Sequence, residues 1–186
     1  MKILVLNGPN LDMLGKREPT VYGSRTLDDI NSDIAAHAAE LGVTVDFAQS
    51  NCEGAIIDKI HSVRDNYDGC ILNAGAYTHY SYAIYDALEA VKLPTVEVHI
   101  SNIHKRDEFR HRSVTAPACI GQICGLGFMG YTLAMDYLLK NIEAEEEDYA
   151  DRLERKEKLA VLPGALLQCL DGREKEILSL RYGLTG

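Results

Sequence analysis

Apolar and polar positions alternate along this chain in two distinct rhythms. Short apolar-rich stretches occur at residues 2–6, 43–48, 69–72 and 94–99, continuous over 3–6 and 69–72 and interrupted by polar residues in the other two, with Asn7, Gly42, Asn73 and Pro94 at their ends. Runs of that length and composition predict buried strands. Between them, apolar residues recur at helical spacing. Leu27, Ile30, Ile34, Ala38 and Leu41 share one face, and Gly42 stops that helix. Ile56, Ile57, Ile60 and Val63 mark a second helix over residues 53–64, residues 81–91 a third, and residues 129–139 a fourth. Residues 113–116 are read as a short fifth strand. Strands alternating with helices build βαβ units and a parallel sheet with helices on both faces. The expected fold is therefore α/β, a flavodoxin-like three-layer sandwich on a five-stranded parallel sheet. In such folds ligands sit at the carboxyl ends of the strands. The polar segments 7–10, 73–79 and 99–102 follow the first, third and fourth strands, so all three should crowd one edge.

The pattern changes after Lys140. Residues 143–148 form an acidic block, a charged stretch runs to Lys158, Pro163-Gly164 breaks it, and a helical pattern returns over 173–181. The chain is thus read as a catalytic domain over 1–140 with a charged helical extension over 141–186. Residues 170–184 weakly resemble the opening helix of sigma-factor region 4. No recognition helix follows within the sequence, so an amphipathic packing or oligomer-capping helix is the preferred expectation.

Charge and cysteines narrow the classes. The chain of 186 residues carries a formal net charge of -9. An acidic protein is a poor partner for nucleic acid, although a local cluster of cations can still bind a small anion. The apolar run at the N-terminus is too short for a signal peptide and far too short to span a membrane. Five cysteines lack C-x-x-C spacing and fit reduced residues of a cytoplasmic protein; no metal site is expected among them and the six histidines.

Three segments and one cluster carry candidate chemistry. Asn7-Gly8-Pro9-Asn10 turns sharply at a strand end, and the polar loop 15–23 places Arg17 near Tyr22. A guanidinium beside a phenol favours phenolate, a usable base. A solvated loop is the plain alternative. Asn73-Ala74-Gly75-Ala76-Tyr77-Thr78-His79 ends a buried strand in small residues that permit close ligand approach; the alternative is a strand-to-helix turn capped by Thr78 or Ser81. In Glu97-Val98-His99, alternation puts carboxylate and imidazole on one side of a strand. Such a carboxylate fixes the tautomer and favours the protonated ring that a general acid needs. The alternative is a satisfied core histidine. Arg106, Arg110 and Arg112 with His104 and His111 form a basic cluster suited to a carboxylate.

Taken together, the strings LNGPNLDMLGKREPTVYGSRTLDDI, NCEGAIIDKIH, ILNAGAYTHYSYAIYDAL, PTVEVHISNIHKRDEFRHRSV and GQICGLGFMGYTLAMDYL resemble the type II 3-dehydroquinate dehydratases from residue 1 to about 139. The resemblance implies an anti elimination of water from 3-dehydroquinate through an enolate, in the shikimate pathway, with no metal and no cofactor. It implies Tyr22 as the base at C2, Arg17 holding its phenolate, and Asn10 stabilising the enolate oxygen through a water. It further implies His99, oriented by Glu97, as the acid for the departing C1 hydroxyl. Asn73, His79 and Arg110 would grip substrate hydroxyls and carboxylate, with the backbone N–H groups of Ile100 and Ser101. Asp86 would reach a neighbouring subunit's site, because the family assembles as dodecamers of four trimers. Rival classes are weaker. A non-catalytic binder would lack Tyr22, Arg17 or His99, and a flavin binder would want a Ser/Thr-rich loop after the first strand.

Overall fold

A computed structural model describes residues 1–16, 24–144, 148–150 and 153. Backbone contacts divide the chain into Met1–Lys140 and Asn141–Gly186. In the second unit, residues 141–144, 148–150 and 153 are helical. The pattern over 170–184 lies outside the described residues.

The first unit holds one five-stranded parallel sheet, with β1 (Lys2–Asn7), β2 (Thr44–Gln49), β3 (Gly69–Asn73), β4 (Thr95–His99) and β5 (Gly121–Cys124). Their spatial order is β2-β1-β3-β4-β5, all neighbours parallel. This is the flavodoxin-like doubly wound order, which places a switch point between β1 and β3. The helices are α1 (Leu27–Glu40), α2 (Glu53–Val63), α3 (Tyr82–Val91) and α4 (residues 129–140).

Local chemistry sets the helix ends. Thr26 accepts from the Asp29 N–H while the Asp29 carboxylate accepts from the Thr26 N–H, a capping box on α1. Such a cap stabilises by about 1 kcal/mol. Ser81 caps α3 by accepting from the Ile84 N–H, whereas Thr78 bonds Thr115 instead.

Side-chain alternation assigns the layers. Leu4, Leu6, Cys70 and Leu72 pack with Ile56, Ile60, Ile84 and Leu88, so α2 and α3 cover one face. Residues of the other parity meet α4, as Gly69 does at Leu138 and Val98 at Gly130. His37 of α1 bonds Asp136 of α4 at 2.7 Å, which sets these two helices together on that second face. Each fully buried Leu or Ile contributes about 1.5–3 kcal/mol, so the stripes hold the layers and leave the strand tips free for polar groups.

One element departs from expectation. Residues 113–116 are not a strand. The Ser113 and Thr115 hydroxyls turn inward to Glu97, the Val114 N–H donates to Thr78 O, and Ala116–Ala118 forms a 3-10 turn containing Pro117. A proline without an N–H cannot continue a ladder there. The fifth strand begins at Gly121, five residues beyond that range.

Candidate active site

The carboxyl ends of β1, β3 and β4 open onto a cavity of about 640 Å³. Its lining includes Asn10, Asn73, His99, Ile100, Arg106 and Arg110. Parity makes this cavity two-sided. Asn7 and Asn73 belong to the face covered by α4, while Glu97 and His99 belong to the face covered by α2 and α3.

Glu97 is fully buried and bonds the His99 Nε2 at 2.8 Å. A buried carboxylate needs donors for its remaining lone pairs. Gln122 of β5 donates to the same oxygen at 2.6 Å, and Ser113 and Thr115 donate to the other. Burial pushes the carboxyl upward, but the bonds from His99, Thr115 and Gln122 outweigh it and hold Glu97 below the usual carboxylate range. With Nε2 committed to Glu97, the Nδ1 of His99 is the nitrogen left for a ligand.

His79 stacks on His99 with ring centroids 6.4 Å apart. Its Nδ1 lies 2.8 Å from the Arg112 carbonyl, so Nδ1 carries the proton and Nε2 is an acceptor. Burial, with His99, Arg110 and Arg106 nearby, lowers the His79 pKa against the opposing pull of that carbonyl. The ring is therefore neutral at pH 7.

On the other side, the β1 tip is built around close approach. The Gly8 N–H donates to Asn73 O at 2.7 Å, and a Cβ on Gly8 would sit 2.5 Å from Ala74 O. Asn10 has φ 65°, a left-handed conformation that Asn tolerates better than most residues. The Asn51 side chain holds it by accepting from the Asn10 N–H at 2.8 Å, while donating to Asp12.

Of the residues expected at a site, Asn10, Asn73, His99, Ile100 and Arg110 meet at this one cavity, with Glu97 directly behind His99. Ser101 adjoins Ile100, and its hydroxyl accepts from Arg106. His79 touches the cluster through His99 and is not part of the lining. Asp86 is exposed on α3 and does not line the cavity. Arg17 and Tyr22 lie outside the described residues. Arg106 of the basic cluster joins the lining too, whereas Lys105, Asp107, Leu11, Met13 and Leu14 join it without having been singled out. Among the described lining residues, three cations stand against one carboxylate, a local positive balance in a chain of net charge -9. That balance attracts a small anion.

Among the described residues no group of three His, Cys, Asp or Glu could hold a metal ion, and no helix is long and apolar enough to cross a membrane. Cys52, Cys70, Cys119 and Cys124 are free thiols; burial pushes Cys70 up to about 12 and Cys124 up to about 11.

Comparison with known proteins decides the family. The model of the class II dehydroquinases matches residues 1–139. The chain belongs to the class II dehydroquinase family. A 3-dehydroquinate dehydratase of Clostridium perfringens (strain SM101) is 57% identical over 146 residues, which is 78% of this chain and all of the relative. One from Thermotoga maritima is 57% identical over 143 residues, 77% of this chain and 98% of the relative. Among solved structures, the type II dehydroquinase of Butyrivibrio crossotus superposes with TM-score 0.73 at 52% identity, over 74% of this chain and 97% of that one. The type II dehydroquinase of Propionibacterium acnes gives TM-score 0.71 at 45% identity, over 74% and 94%. The family match ends at residue 139, and the alignment with the Clostridium perfringens relative covers 146 residues, so most of the extension from residue 141 lies outside it.

Proposed function

We propose that this family member removes water from 3-dehydroquinate to give 3-dehydroshikimate, as a hydro-lyase of the shikimate pathway, by an anti elimination through an enolate. The observation that carries the mechanism is the buried Glu97–His99 pair opening onto a cationic cavity beside two amides, Asn10 and Asn73. The C2 proton, alpha to the ketone, goes to the Tyr22 phenolate, which Arg17 keeps ionised. The electron pair moves onto the ketone oxygen, where Asn10, through a water, stabilises the developing charge. An oxyanion donor of this kind contributes about 3 kcal/mol. The enolate then returns its electrons to carbon as the C1–O bond breaks. The His99 Nδ1 donates its proton to that oxygen, which leaves as water.

Glu97 holds the imidazole and supplies the counter-charge for its protonated form. Arg110 and the Ile100 and Ser101 N–H groups take the substrate carboxylate. Asn73 and the neutral His79, through its accepting Nε2, take hydroxyls. None of these steps calls on a metal or cofactor. Asp86, exposed on α3, fits a role at a neighbouring subunit's site in a dodecamer of four trimers; light scattering on the purified chain tests that assembly. The free thiols suit a reducing, cytoplasmic setting. Adding 3-dehydroquinate to the purified full chain should produce an absorbance rise from the conjugated enone of the product. A flat trace with folded protein would overturn the assignment.

A further inference from the structure

The amide side of the cavity is wired to a residue with no place in the chemistry above. Tyr131 of α4 is fully buried, and its hydroxyl lies between the two strand-tip asparagines. The Gly75 N–H donates to Asn73 Oδ1 at 3.2 Å, which fixes which end of that amide is oxygen. The Asn73 Nδ2 therefore faces Tyr131 and donates to its hydroxyl at 2.8 Å. A phenol has one proton, and here it goes to Asn7 Oδ1 at 2.8 Å. Burial pushes the Tyr131 phenol upward, against the Asn73 hydrogen bond, so it stays a neutral hydroxyl at working pH. The chain of donors runs one way: Gly75 to Asn73, Asn73 to Tyr131, Tyr131 to Asn7.

We propose that Tyr131 is a positioning residue that sets the polarity of the Asn73 amide, so that the cavity meets a substrate hydroxyl with a fixed N–H donor. Asn73 lines the cavity with one Nδ2 hydrogen already committed to Tyr131. The second hydrogen is then the donor presented to ligand, and it points to a hydroxyl oxygen as its acceptor. Without the Tyr131 oxygen, the buried hydrogen loses its partner and the amide gains freedom to rotate. An amide that must be reordered by each substrate binds more weakly without altering the bond-breaking step. This inference rests on the reading of Asn73 as a substrate contact.

Steady-state kinetics of the full chain with 3-dehydroquinate test it through four variants, each first checked for native fold by circular dichroism. Tyr131→Phe should raise KM about tenfold, the scale of one well-placed neutral hydrogen bond, with kcat within about threefold of the parent. Asn73→Ala should raise KM at least as much. The double variant Asn73→Ala/Tyr131→Phe should match Asn73→Ala alone, because Tyr131 acts only through that amide. A purely structural Tyr131 would lower the melting temperature of Tyr131→Phe and leave its KM unchanged, which overturns the proposal. So does a Tyr131→Phe effect that persists in full on the Asn73→Ala background. If Tyr131→Phe does not fold, Asn7→Ala, which removes the acceptor of the Tyr131 proton, takes its place. A KM rise of about threefold that disappears with Asn73→Ala supports the relay, and an unchanged KM overturns it. Failure of the underlying reading looks different: Asn73→Ala would then keep the parental KM in an otherwise active enzyme.

Discussion

Two polar nests flank the same cavity, and they are built on opposite principles. On the α2–α3 face, a charge is sunk at Glu97 and surrounded by four donors, one of them His99. On the α4 face, Asn7, Asn73 and Tyr131 form a chain of neutral groups in which every proton has a fixed direction. Burying a charge is costly and is sustained only by complete satisfaction of its lone pairs. A neutral chain avoids that cost and in exchange cannot move a proton easily. The difference assigns the labour: the charged nest suits proton transfer, the neutral nest suits grip and orientation. One strand-to-strand step in parity separates them.

The largest effect should come from the charged nest. His99→Ala is expected to cut kcat by about 10²- to 10⁴-fold, the span of a general acid's contribution. It should still exchange the C2 proton of 3-dehydroquinate with solvent, since the proposed mechanism forms the enolate with Tyr22, Arg17 and the oxyanion site. Mass spectrometry in heavy water reads this directly, and absence of exchange in a folded, substrate-binding variant would break the stepwise assignment. Tyr22→Phe should lower kcat by at least roughly a hundredfold with binding largely retained. A near-parental rate would remove Tyr22 as the base.

A smaller effect is expected from Glu97→Gln, which keeps the side-chain size but deletes the counter-charge and turns one accepting oxygen into a donor; kcat should fall about tenfold. The same variant sharpens the contrast through pH. Glu97 sits below the usual carboxylate range in the folded state, so it contributes stability above its unfolded pKa and loses it as pH falls through its lowered folded value. Melting temperature followed from pH 7 down through that window should drop more steeply for the parent than for Glu97→Gln. Equal slopes would show that the carboxylate is not a net stabilising charge. The smallest expected change is none: prolonged chelation should leave the rate unaltered, and activity lost to chelator and regained with added metal would rewrite the mechanism.

The parts of this molecule written in local pattern were legible from the sequence. Four strands announced themselves, two as continuous apolar runs and two as short β-branched stretches opened by Gly42 or Pro94. The pairing of Glu97 with His99 followed from side-chain alternation, and the meeting of segments 7–10, 73–79 and 99–102 at one sheet edge from their following parallel strands. The fifth strand escaped because Gly121–Cys124 is a four-residue edge strand with little apolar content, while Ser113–Ala116 is spent on side-chain bonds that mimic no regular period. The supporting groups escaped for a related reason. Gln122 reaches Glu97 across 25 residues and Tyr131 reaches Asn73 across 58. A buried tyrosine on an apolar helix face reads as core, and only the strand tips beneath it reveal that its oxygen has work.

The joint at Gly8 has a bearing on how this enzyme could be remade. With Ala74 O standing where a Cβ would go, even alanine is excluded unless β1 and β3 separate. The β1 tip that carries Pro9 and Asn10 into the cavity is therefore fixed against β3 at this position, for selection and for the bench alike. A version accepting a larger or differently shaped acid is easier to reach along the rim, at Lys105 and Asp107, where side chains can lengthen, shorten or change sign without touching the strands or the Arg110 carboxylate grip.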